Sequence, residues 1–101
     1  MDTKNAFGKA LKHVRVLRGL TQEDFSLVSS RTYLSVLERG LKSPTIEKLE
    51  AISGTLNVHP VTLLAFAYLL TDKATLPNEL FSSIADELDE LYGANIQASD
   101  K

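Results

Sequence analysis

The chain has 101 residues, 44% of them hydrophobic, with no cysteine and a net charge of −2; it can build one small core but no disulfide framework or thiolate metal site. The charge is divided: residues 1–48 hold nine Lys/Arg against five Asp/Glu, residues 49–101 two against eight, so the first half is the end suited to a polyanion. No signal-peptide-like apolar run opens the chain, and the longest apolar stretch, VTLLAFAYLL at 61–70, is too short for a bilayer, so a cytoplasmic protein without membrane contact is expected.

Hydrophobic periodicity predicts an all-α fold. Phe7 to Arg18 places Phe7, Ala10, Leu11, Val14 and Leu17 on one stripe, and Gly19 ends that helix. Thr21 caps a second helix, with Asp24 where a capping box has Glu or Gln, and Phe25 and Val28 point inward. Ser30 caps a third helix, Arg31 to Arg39, with Leu34 and Leu37 inward and Gly40 as its stop.

Thr45 caps a fourth helix with Ile46, Leu49, Ile52 and Leu56 in period, stopping near Asn57. His59 and Pro60 open a fifth, proline being tolerated in a first turn. After the loop TDKATLPN, a sixth helix from about Glu79 to Tyr92 carries Leu80, Phe81, Ile84, Leu88 and Leu91 on one face and Asp86, Glu87, Asp89 and Glu90 elsewhere. Residues 1–71 are thus expected to form a compact five-helix domain. Residues 72–101 add a loop, an acidic amphipathic helix and a frayed tail.

LKHVRVLRGLTQ at 11–22, RTYLSVLERG at 31–40, SPTIEKLEAISGTLNV at 43–58 and HPVTLL at 59–64 resemble, in that order, the phage-repressor (Cro/CI, or XRE) helix-turn-helix family. RTYLSVLERG is also similar to the recognition segment of restriction–modification controller proteins, which belong to that family. The resemblance implies a repressor-like domain whose third helix enters the DNA major groove, with its first residues at base edges. It also matches Arg15 and Glu38 to an arginine–glutamate pair that ties the first helix to the third. One departure stands out. FSLVSSRTYL has about two residues fewer between the second and third helices than family members and lacks their glycine. Either the second helix is a half-turn shorter or the two helices cross differently.

Arg31 and Thr32, at the start of the third helix, are the leading base contacts, since a guanidinium can donate two hydrogen bonds to guanine O6 and N7. Ser35 and Val36 follow on that side, Val36 against a thymine methyl or as an unremarkable exposed valine. Gln22, Tyr33, Arg39, Lys42 and Ser43 are phosphate candidates; Gln22 could instead support a local cap, and Tyr33 could pack its ring toward the second helix. Thr45 reads as a cap first.

The fifth helix is apolar at nearly every position, more than one buried stripe needs. Its excess, Leu64, Phe66, Tyr68 and Leu69, with Phe81, Ile84 and Leu88 of the sixth helix, suits a homodimer that places two third helices one DNA turn apart. A monomer with the sixth helix folded back on the fifth is the alternative. His13 and His59 are isolated, and no phosphate loop, nucleophile elbow or metal motif is present, so no enzyme, metal or cofactor is expected. The expected function is a dimeric repressor or controller that binds a specific, two-fold symmetric duplex. The alternative is an antitoxin or protein-interaction module that engages a protein partner through the last two helices.

Overall fold

The structure, a computed structural model, describes residues 1–72 and 75–93. Among them the chain forms α1 (Thr3–Leu17), a 3-10 turn (Gln22–Phe25), α2 (Arg31–Glu38), α3 (Ile46–Leu56), α4 (Pro60–Thr71) and α5 (Pro77–Leu91), with no strand. The expected frayed tail at 94–101 lies outside the described residues. No single described helix is long and apolar enough to cross a membrane.

Local chemistry sets the boundaries. Ser30 Oγ accepts from Tyr33 N at 3.0 Å and Thr45 Oγ1 from Lys48 N at 3.1 Å, so both serve as N-caps. His59 does the same with Nδ1, accepting from Val61 N at 3.0 Å. Gly19, Gly40 and Asn57 take positive φ at 73°, 74° and 60°. Each closes a helix by paired backbone bonds: Leu20 N to Arg15 O and Gly19 N to Val16 O, both 3.0 Å, show the pattern.

Three expectations need correction. α1 begins at Thr3, four residues before Phe7, because Asp2 caps it by accepting from Asn5 N at 2.8 Å. Leu17 is not part of the core stripe but 75% exposed; the chain reverses at Gly19 and Leu20 packs on the core instead. Ile46 is 74% exposed, since at the first position of α3 it lies about 90° from the middle of the arc that carries Leu49, Ile52 and Leu56.

The short link before α2 has the first of its two readings: the second helix is reduced to one 3-10 turn. Thr21 N donates to Asp24 Oδ2 at 2.7 Å, so aspartate fills the capping position despite its shorter arm. Phe25 is buried, and Val28 packs at the edge of the core.

Phe7, Leu11, Phe25, Leu34, Leu37, Ile52, Leu56 and Leu63 form the core, with Ala6, Ala10 and Ala67 between them. α1 packs mainly on α4 and α2. Gly8 permits the second contact, because a Cβ there would lie 2.5 Å from Leu37 O and 2.7 Å from Glu38 O. α5 contributes nothing to this core: none of its residues is buried, and Phe81, Leu88 and Leu91 are exposed.

Candidate nucleic-acid interface

α2 is eight residues long, and its two sides are chemically distinct. Leu34 and Leu37 face the core, while Arg31, Thr32, Ser35 and Arg39 turn outward and, with Gln22, line a shallow depression of about 400 Å³. Five sequence candidates are therefore gathered on one surface. Arg31, Thr32 and Arg39 are exposed and Ser35 is half-buried, so the depression presents two guanidinium groups, two hydroxyls and an amide to solvent.

That surface is held from behind by a carboxylate. Glu38 Oε2 accepts from Arg15 Nε at 2.6 Å, and Oε1 accepts from Arg15 Nη2 at 3.0 Å and from Gln22 Nε2 at 3.1 Å. Arg15 Nη1 also donates to Leu20 O at 3.0 Å. One acidic side chain thus joins α1, the 3-10 turn and α2. Hydrogen bonding to Glu38 raises the Arg15 guanidinium further above its already high ordinary pKa, against the opposing effect of burial. Sequence reasoning missed the third member: Gln22 donates to Glu38 as well as edging the depression, a link that only the fold creates.

The remaining candidates are distributed differently. Tyr33 is half-buried against the core, and Lys48 Nζ lies 5.5 Å from its ring centre while donating to Val28 O at 2.6 Å. Its ring thus packs against the core beneath Lys48 of α3, a neighbour that the sequence did not point to. Val36 is half-buried, and Lys42 and Ser43 are exposed on the loop after α2, outside the depression. On α4, Leu64, Phe66 and Leu69 are half-buried and Tyr68 is exposed. The His13 ring meets Phe66 edge-on at 5.5 Å. No group of three or more His, Asp or Glu that could hold a metal occurs among the described residues.

Comparison with known proteins gives a consistent picture. The helix-turn-helix family HTH_3 matches residues 11–63. An uncharacterized HTH-type transcriptional regulator, y4dJ, of Sinorhizobium fredii (strain NBRC 101917 / NGR234) is 38% identical over 66 residues, covering 63% of this chain and 86% of that protein. The control protein C.BamHI of Bacillus amyloliquefaciens is 35% identical over 63 residues, covering 59% and 78%. Among solved structures, the clp gene regulator ClgR from Corynebacterium glutamicum superposes with a TM-score of 0.63 at 23% identity, covering 91% of this chain and 92% of that one, a likeness of fold.

Proposed function

The chain belongs to the helix-turn-helix family of DNA-binding transcriptional regulators, a family of regulators rather than enzymes, and on that premise we propose that it reads a specific duplex sequence by laying α2 in the major groove. The carrying observation is the outward face of α2, where Arg31, Thr32 and Ser35 share one depression with Gln22 and Arg39. Arg31 donates to a guanine edge and Thr32 and Ser35 bond neighbouring bases, while Val36 meets a thymine methyl. Arg39, Lys42, Ser43 and the second amide proton of Gln22 hold phosphates and set the register. Tyr33 supports the helix from the core side.

The reader acts as a homodimer, a repressor or controller that occupies a two-fold symmetric operator. Support comes from apolar surface left uncovered on α4 and α5, where Tyr68, Phe81 and Leu88 are 50%, 45% and 55% exposed. Binding to fluorescent duplex across a salt series tests the DNA reading: affinity falling steeply with salt supports phosphate contacts, and salt-independent or absent binding contradicts them.

A further inference from the structure

A second concavity, of about 630 Å³, lies over α1 and is lined by Lys9, Lys12, His13, Val16, Leu17 and Glu38. Its first four α1 residues follow i, i+3, i+4, i+7 spacing, so they form one outward stripe of the helix. Val16 is 59% exposed and Leu17 75%, an apolar floor that is unusual on a helix otherwise charged on its outer side. Lys9 and Lys12 give the groove a cationic rim. The Glu38 carboxylate already accepts three hydrogen bonds from Arg15 and Gln22, so its charge is largely compensated.

α5 is the complement of this groove. Phe81, Ile84, Leu88 and Leu91 recur at alternating spacings of three and four, a packing seam with no buried member. The rest of the helix holds Glu79, Asp86, Glu87, Asp89 and Glu90 and no Lys or Arg. Two α5 helices paired with each other would gather ten carboxylates without a cation, whereas the α1 groove offers two lysines. The lengths are comparable: Lys9 to Leu17 spans about 12 Å along α1 and the seam from Phe81 to Leu91 about 15 Å along α5.

We infer that in the homodimer α5 of each copy lies in the α1 groove of the other, with Phe81, Ile84 and Leu88 on Val16 and Leu17 and the acidic residues beside Lys9 and Lys12. This rests on the homodimer proposed above. It makes α5 a reciprocal clasp that ties the two DNA-reading domains together on the side of α1 facing away from the core.

The absence of native cysteine allows a direct test by disulfide trapping in the full-length chain. A Val16→Cys copy is mixed with a Leu88→Cys copy and oxidised, beside each variant alone and the double variant. The expected result is a covalent dimer from the mixture and from the double variant, with little from either single variant. Lys12→Glu should weaken the dimer in sedimentation, and Glu90→Lys in the same chain should restore it. A covalent dimer from Leu88→Cys alone would show α5 pairing with α5 and overturn the clasp while leaving the homodimer standing. An intramolecular bond in a monomeric double variant, or a dimer that the mixture never traps, overturns it as well. A chain that sediments as a monomer at all concentrations would instead remove the homodimer itself.

Discussion

The Arg15 guanidinium and the Glu38 carboxylate, 23 residues apart in sequence, meet in a two-pronged ion pair at 2.6 and 3.0 Å, with side chains only 12% and 5% exposed. A pair this enclosed is costly to break from one side, because the remaining charge stays poorly solvated. Glu38→Ala is expected to lower unfolding stability by about 2–4 kcal/mol, measured by urea denaturation. The double variant Arg15→Met, Glu38→Met should recover part of that loss, since no lone charge remains. Because the Arg15 pKa is raised, its contribution is complete below arginine's ordinary value and fades only as pH rises above it. Moderate alkali should therefore leave the pair intact.

Gly8 and Gly54 are both inside helices, yet alanine should act oppositely at the two sites. At Gly8 the new methyl would lie 2.5 Å from Leu37 O, forcing α1 away from α2 at an expected cost of about 1–3 kcal/mol. At Gly54 nothing lies within 4 Å, so alanine's helix preference should stabilise by up to about 1 kcal/mol. Thermal melts of both variants decide the matter. A stabilised Gly8→Ala would mean that α1 and α2 do not approach as closely as described.

Ser53 is fully buried in α3, and its Oγ has no hydrogen-bond partner. An unpaired buried hydroxyl keeps its desolvation cost without compensation. Ser53→Ala is expected to be neutral or to stabilise by roughly 1 kcal/mol, read from the urea midpoint. A clear loss of stability would show that the hydroxyl is bonded.

How much of this was legible in the sequence depends on how local the cause is. The caps at Thr21, Ser30 and Thr45, the helix entry at His59 and Pro60 and the stops at Gly19, Gly40 and Asn57 were legible because each depends on a few neighbouring residues, whereas the His59 ring acting as a cap was not. Periodicity also located Leu34, Leu37, Ile52 and Leu56 in the core. It failed for Leu17 and Ile46, because period identifies a face but not where the neighbouring helices stop covering it. For the outward face of α2, the family resemblance together with residue chemistry singled out Arg31, Thr32 and Ser35, and the fold gathers them in one depression. The bond from Gln22 to Glu38 and the packing of Lys48 over Tyr33 depend on how separate segments meet, which no local pattern encodes.

Lys42 and Arg31 should separate positioning from reading. Lys42→Ala is expected to weaken binding to all duplexes alike and to reduce the salt dependence by about one counterion. Arg31→Ala should weaken a preferred site far more than random DNA, by about 1–3 kcal/mol for a lost guanine contact. Fluorescence anisotropy with both kinds of duplex checks this, and equal losses on the two duplexes for Arg31→Ala would remove it from base reading.

The most direct test of α2 as a groove reader is selection of bound duplexes from a random pool by the wild-type chain beside Arg31→Ala. The wild type is expected to enrich a two-fold symmetric site with half-sites about one DNA turn apart, and the variant to tolerate other bases at one position in each half. Failure to enrich any sequence, with equally weak binding by both proteins, would contradict a groove-reading α2.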